Sequence, residues 1–339
     1  MKFFIYLVFL YLLACYSKKD SFGPFDRLVV FGDPELWEQV EDAVRDSIGR
    51  PWELPRMEEK ILIDYKNLDE FDIFNTQRNI MFLISFDKNN SLLQFAKRLL
   101  SERALNAVNE HSFNFFYQKD VYANNQSLIM FIVDKTDSAE AVFKRQVTKS
   151  DALNKFDEYL LERLRNEYFD TRSDQQVMDR MKQEAGFTFR MPPPFVLSDL
   201  QPKEKRNIVS IYSQREPLKW ISVHTLDSLS KDQLTDRFVF NQRDSVMFYS
   251  FEKQTVVRDG SARKQMISLD GMEGYRYQGN YLYLQDGLLG GGPFILYALY
   301  DENEKRLYMI DGFLLELEKR KSEALIYIEE IIKTFKREK

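Results

Sequence analysis

The sequence predicts an α+β protein of two mixed domains, each a mostly antiparallel sheet with helices packed on one face. Three observations carry that expectation. Short apolar runs of strand length are interleaved with segments whose apolar residues recur every three or four positions. Three consecutive prolines, Pro192, Pro193 and Pro194, interrupt the chain past its middle, and the turn dipeptide Asp-Gly recurs at 259/260, 270/271, 286/287 and 311/312. The length of 339 residues accommodates two domains, and 44% hydrophobic with 30% charged residues is the balance of a chain that folds around a core.

The chain opens Met1-Lys2, then an apolar run from Phe3 to Leu13, then Ala14-Cys15 and polar residues. This is the layout of a secretory leader: basic start, apolar centre, small residue at the cut. A permanent span needs about 20 apolar residues, more than the run supplies. Leu12-Leu13-Ala14-Cys15 resembles the bacterial lipobox, which implies cleavage before Cys15 and attachment of lipid to its thiol. Cys15 is the only cysteine in the chain, so an internal disulfide is impossible and lipidation gives the thiol a role. Residues 1–14 are then leader and 15–25 a lipidated tether. Removing Lys2 takes the formal charge of −5 to −6, a mildly acidic body with no electrostatic footprint for nucleic acid.

The first domain, 26–172, begins with a strand at Arg27–Phe31. Asp33 suits a helix N-cap and Pro34 the first helical position; Leu36, Trp37, Val40, Val44 and Ile48 follow at helical spacing, with Gly49 as the left-handed stop. Strands are expected at 61–65, 79–86, 113–117 and 127–133. Helices are expected at 91–108, with Leu92, Phe95, Leu99 and Leu100 inward, and at 138–168. Ser173 and Gln176 form a capping box for a helix ending at Gly186. The second domain, 187–339, is expected to hold strands at 207–213, 220–224, 245–251, 274–285 in two pieces, 294–300 and 306–310. A helix near 231–238 and a terminal helix with Leu325, Ile328, Ile331, Ile332 and Phe335 on one stripe accompany them. Arg78-Asn79-Ile80 and Arg206-Asn207-Ile208 both open apolar strands, which leaves a duplication of the two halves open.

The lipobox, Phe31-Gly32-Asp33-Pro34, the segment Val121 to Gln126, and the ending from Gly292-Pro293-Phe294 through Asp311-Gly312-Phe313 together resemble a family of Bacteroidota lipoproteins (domain of unknown function family 4837). The resemblance implies a source and an envelope address, and no chemistry. Tyr16 follows the cysteine, where an Asp would resemble an inner-membrane retention signal, so the outer membrane, facing the periplasm, is the expected address.

Catalytic templates are missing. His111 and His224 are the only histidines, and HExxH, CxxC and GxSxG do not occur, so neither metal nor cofactor is expected and both histidines read as surface or boundary residues. Gly290, Gly291 and Gly292 read as a tight connection or bulge, with a ligand approaching their backbone as the functional alternative. Tyr275 and Tyr277, and Tyr281 and Tyr283, alternate on either side of Gly279-Asn280, which puts each pair on one face of a hairpin. Such a face packs against a helix or, exposed, binds glycan or peptide; on the second reading Tyr281 and Tyr283 with the three glycines are the candidate ligand-binding residues. Two functions follow: a noncatalytic envelope lipoprotein binding an unidentified protein or glycan, or an envelope hydrolase using a carboxylate pair among Asp270, Glu273, Asp286, Asp301 and Asp311.

Overall fold

The computed structural model describes residues 18–53, 57–110, 113–169, 174–193, 195–198, 208–213, 217–251, 254–257, 262–285, 288–315 and 320–338. The leader and Cys15, His111, the expected cap Ser173, Pro194, Arg206-Asn207, and the Asp-Gly pairs at 259/260 and 286/287 lie outside the described residues. In chain order the elements are β1 (Arg27–Phe31), α1 (Pro34–Val44), β2 (Pro51–Glu53), β3 (Met57–Glu59), β4 (Leu62–Lys66), α2 (Phe71–Phe74), β5 (Asn79–Ser85), α3 (Ser91–Leu99), α4 (Glu102–Asn109), β6 (Phe115–Lys119), β7 (Ser127–Val133), α5 (Ala139–Val147) and α6 (Asp151–Phe169). There follow α7 (Gln175–Ala185), β8 (Phe187–Thr188), β9 (Phe195–Leu197), β10 (Ile208–Ser213), β11 (Leu218–Leu226), α8 (Asp236–Phe251), β12 (Gln254–Val257), β13 (Arg263–Leu269), β14 (Met272–Gln285), β15 (Leu288–Asp301), β16 (Arg306–Leu315), α9 (Ser322–Ile332) and β17 (Lys336–Arg337). Residues up to Arg50 with Glu59–Arg163 make one compact unit, and Pro51–Glu58 with Leu164 onward make the other. The division falls inside α6, and the proline run lies within the second unit.

The class is α+β, but the first unit's sheet is not mostly antiparallel. Its order is β4-β1-β5-β7-β6, and every neighbouring pair is parallel except β6 with β7. β5 and β7 are buried at every position, the continuous apolar character of strands covered on both faces. One face packs Leu36, Val40 and Phe143 against Val30, Met81 and Phe131; the other packs Leu92, Ala96 and Val108 against Phe31, Phe82 and Met130. Helices therefore cover both faces, because parallel neighbours need crossovers that return over the sheet. Asp33 caps α1 by accepting from the Glu35 N–H at 3.1 Å. The left-handed stop is Arg50 (φ 50°), reached after a π-type turn at Arg45–Gly49, and Gly49 itself is not left-handed. Leu99 is exposed, since the helical segment breaks there and restarts at Glu102.

The first unit also secures the residues expected to be tether. The Lys19 and Lys18 carbonyls accept from the Asn124 N–H (2.9 Å) and side-chain amide (2.7 Å), Ser21 N–H donates to Asn124 O (2.9 Å), and Phe22 N–H donates to Thr76 O (3.1 Å). Asn125 holds φ 58°, a conformation asparagine tolerates better than most residues, and Gln126 bonds three backbone groups around the same loop. Arg163 is buried beside it and donates to the carbonyls of Arg78 (2.9 Å) and Asn125 (2.7 Å); burial pushes its guanidinium down to about 10.

The second unit is antiparallel throughout its main sheet: β12-β14-β15-β16-β11-β10-β9, with β13 also on β14. The two units do not repeat one another, so the sequence match at Arg78 and Arg206 marks no duplication of architecture. Helices lie on both faces here too. α8 covers Tyr277, Tyr281, Phe294, Leu296 and Phe313 with Val239 and Met247. α9 covers the opposite face, where a side chain on Gly312 would meet Ile328 at 2.2 Å and Ile332 at 3.0 Å. Residues 245–251, expected as a strand, are the end of α8, and 274–285 is one unbroken strand rather than two. The expected helix near 231–238 is a 3₁₀ turn at Lys231–Gln233 followed by the start of α8.

Glu329 fixes α9 on the sheet. Its carboxylate accepts from Arg276 Nε (2.6 Å) and Nη2 (3.0 Å) and from the Tyr297 hydroxyl (2.9 Å). Burial pushes this carboxyl up, but the Arg276 hydrogen bonds and charge, with Lys333 and Tyr297, outweigh it and hold the group at about 2. A depressed carboxylate contributes stability that is full above its unfolded value of about 4.5 and is lost as pH falls toward 2. Equilibrium unfolding from pH 7 down to 2 should therefore show on the order of 3 kcal/mol of acid-labile stability that Glu329→Gln lacks. Ile328→Ala with Phe335→Ala, both at fully buried positions, should lower stability by about 2–5 kcal/mol per site, read as a drop in the melting temperature.

Candidate functional site

The five candidate binding residues come together on β14 and β15, and they form packing rather than an opening. Tyr283 pairs with Gly290 and Tyr281 with Gly292 across the two strands. A Cβ on Gly290 would lie 2.2 Å from the Tyr283 ring, and one on Gly292 would lie 2.1 Å from Leu314 O. None of the three glycines has positive φ, so they serve close approach and not a turn or bulge. Tyr281 is fully buried; it donates to Leu314 O at 2.9 Å, and burial pushes its hydroxyl far up. Because β14 runs straight through Gly279-Asn280, all four tyrosines share one face of one strand.

A buried charge centre under α8 joins Asp311, one of the candidate carboxylates, to Arg243, which no sequence motif singles out. Arg243 and Asp311 are 1% and 5% exposed, with Nε 2.9 Å from Oδ2. The guanidinium also lies over the rings of Phe294 (4.2 Å) and Tyr281 (4.9 Å). Burial raises the Asp311 carboxyl and the Arg243 charge opposes that rise. Ser222 stands opposite Asp311 on β11, Ser210 opposite Ser222 on β10, and His224 two residues along; all are buried. His224 is thus an interior residue, not a boundary one, and Asp311-Gly312 lies inside β16 and not in a turn. The available signal was Val239, Arg243 and Met247 at four-residue spacing, an arginine in an otherwise apolar stripe.

Two adjoining openings lie beside the β13–β14 hairpin. A cavity of about 340 Å³ has Leu234, Val239, Ala298 and Leu307 as its floor, with Met266 and Tyr275 at its mouth. A polar cavity of about 350 Å³ adjoins it, sharing Lys231, Glu273 and Tyr300 and adding Asp301, Glu302 and Arg337. The β13–β14 hairpin that frames this cleft turns at Asp270-Gly271, both in left-handed conformation (φ 50° and 76°) as the Asp-Gly signal requires. Gly274 permits its close seat, for a Cβ there would meet Ala298 O at 2.0 Å.

The carboxylates around the cleft are committed to cations. Lys231 Nζ lies 2.9 Å from Glu302 and 3.9 Å from Glu273. Arg337 joins Asp270 (3.0 Å) to Asp301, which also accepts the backbone N–H groups of Asn303 and Glu304. The Lys231 hydrogen bond holds Glu302 below the usual carboxylate range, so it is an anion at neutral pH and no proton donor. Among the described residues no cluster of three or more His, Cys, Asp or Glu is placed to hold a metal ion.

The buried pair yields a direct test. Arg243→Met or Asp311→Leu alone strands a desolvated charge and should cost about 3–5 kcal/mol in chemical denaturation. The double replacement should recover most of that loss; a double variant as unstable as the sum of the singles would show that the pair is not what couples them.

No curated protein matches the chain. Solved structures similar to it are a cyanobacterial PsbP from Synechocystis sp. PCC 6803 (15% identity, 45% of this chain and 86% of that one, TM-score 0.31) and the Ran-binding protein Mog1p of Saccharomyces cerevisiae (12%, 45% and 90%, 0.29). A Bacteroides thetaiotaomicron protein is similar at 11% identity over 45% of this chain and 46% of that one, TM-score 0.28. Residues 174–334, nearly the whole of the antiparallel unit, match the family described as a domain of unknown function, DUF4837.

Proposed function

We propose that the chain is an envelope lipoprotein, held to a membrane by lipid on Cys15, whose second unit binds a protein or glycan partner without transforming it. The edge cleft carries this reading. It joins an apolar floor to a charged rim, the composition of a recognition site, and its volume is in the range of ligand pockets. Met266 at its mouth is 70% exposed and Tyr275 is 38% exposed, and Lys264 Nζ sits 3.8 Å from the Tyr275 ring centre. Exposed aromatic and methionine side chains beside paired charges favour contact with another molecule over chemistry on it.

The hydrolase alternative is the weaker one. Glu273 and Glu302 do converge on one lysine, but general acid catalysis needs a carboxyl whose proton is retained near neutral pH, and Glu302 is displaced in the opposite sense.

The body's hold on Lys18 and Lys19 sets the geometry of the anchor. Two residues, Tyr16 and Ser17, separate Cys15 from Lys18, so three steps at about 3.3–3.6 Å per residue give a reach of about 10 Å. An anchor this short keeps the first unit's Asn124 loop beside the membrane, whichever membrane carries it, and the outer membrane facing the periplasm remains the address we favour.

Two measurements test these readings. Cys15→Ala should abolish incorporation of an acyl-chain probe and leave the uncleaved precursor; continued labelling would overturn the anchor. A photo-crosslinking residue at position 266 should capture one envelope component in cells, and Tyr275→Ala with Lys231→Ala should cut that capture several-fold. Equal capture from an exposed control position such as Glu140 would remove the cleft from consideration.

A further inference from the structure

Another cavity in the same unit has the opposite electrical character. It measures about 280 Å³ and lies where the end of α6, the start of β11 and the approach to α9 meet. Its walls include Leu164, Tyr168, Pro217 and Tyr327, and Lys219 and Arg320 line it from two different elements. Among the described residues Glu323 is its one carboxylate, so two cations face one anion there, whereas the described lining of the edge cleft sets three carboxylates against two cations.

The cavity is built rather than incidental. Leu164 is 1% exposed and Tyr327 6%, and the Tyr168 and Tyr327 rings sit 4.4 Å apart at a 50° tilt. Tyr327 is held in turn by Phe195 at 5.9 Å. Lys219 is steered by its hydrogen bond to Pro217 O (3.0 Å), and Arg320 by Nε donating to Ser322 Oγ (2.8 Å). An ammonium offers three donors and a guanidinium five, so each cation can add an acceptor to the contacts it makes.

We propose that this cavity binds a small ring-bearing carboxylate, its anionic head between Lys219 and Arg320 and its ring on Leu164, Pro217 and the two tyrosines. Charge selects the head, since a planar guanidinium matches a carboxylate in geometry and sign. Flat aromatic and proline walls select a ring over a branched body. Size excludes larger amphiphiles: at roughly 30 Å³ per water-sized group the space holds about nine such groups, one ring carboxylate and not a two-chain lipid.

The test is titration of the full chain with 3-phenylpropionate and with its neutral amide, followed by calorimetry and by ligand-observed NMR. The acid should bind with a dissociation constant of about 10⁻⁴–10⁻³ M. The amide should bind about tenfold or more weakly, as should the acid to the Lys219→Gln, Arg320→Gln double variant, and Glu323→Gln should strengthen binding. In the unaltered protein, magnetisation transfer from the ligand ring should reach Tyr168 and Tyr327, which tests the site without relying on a variant that folds. Equal affinity for acid and amide, undiminished binding to the double variant, or no binding at 10 mM acid, a level well above that range, would each overturn the proposal. Tyr275→Ala, in the edge cleft, should leave this binding unchanged.

Discussion

Strand β16 is buried on both faces from Leu307 to Leu314, and the second unit is arranged around that constraint. A strand at the centre of an antiparallel sheet usually turns alternate side chains to water, but here each side chain has to be matched to something above or below it. On one side Gly312 removes its own side chain so that Ile328 and Ile332 can come down, which seats α9. On the other, Asp311 would be an isolated buried charge without Arg243, which fixes the rotation of α8 about its axis. One dipeptide thus specifies the covering of both faces, and neighbouring strands inherit the geometry: Phe294 and Tyr281 pack under the guanidinium, while Tyr297 and Arg276 receive Glu329.

That constraint explains what could be read from the residues and what could not. α1 was legible because Asp33, Pro34 and the apolar stripe agree with one another, and β5 and β7 were legible as strands because no helix stripe competes with their apolar runs. Their direction was not, since parallel pairing is decided by distant partners and leaves only continuous burial as its mark. The end of α8 was misread for the same reason that makes it interesting. An arginine in the apolar stripe broke the helical pattern, and its reason for being there, Asp311, is 68 residues further on. Asp-Gly shows how partners override local preference: at 270/271 both residues take positive φ in a hairpin, and at 311/312 the pair is extended.

The glycine run makes the point from the other side. Read alone, Gly290 to Gly292 signals a flexible connection, because glycine is where a chain most easily turns. Read with its neighbours, Gly290 lies opposite Tyr283, whose ring needs bare backbone beneath it, and Gly292 lies opposite Tyr281 with the Leu314 carbonyl against it. The alternating tyrosines and the glycines are two halves of one packing arrangement, legible once the register of β14 on β15 is known. The packing reading of the tyrosines is the one this register displays, with the Tyr281 ring fully buried.

A core determined so completely has little room to change shape, and recognition is left to the periphery. Interior strands carry side chains that answer to both covering helices, and altering one disturbs all of them. β13 pairs only with β14, and its residues Arg263 to Met266 are exposed, so side chains there can vary without cost to the sheet. The edge cleft and the cavity beside α9 both lie where strand ends meet loops or helix ends, and they differ in the sign of their excess charge. The second unit thus sets a closely packed centre against peripheral recesses that differ in the sign of their excess charge, and only at those recesses can side chains change without repacking both covering helices.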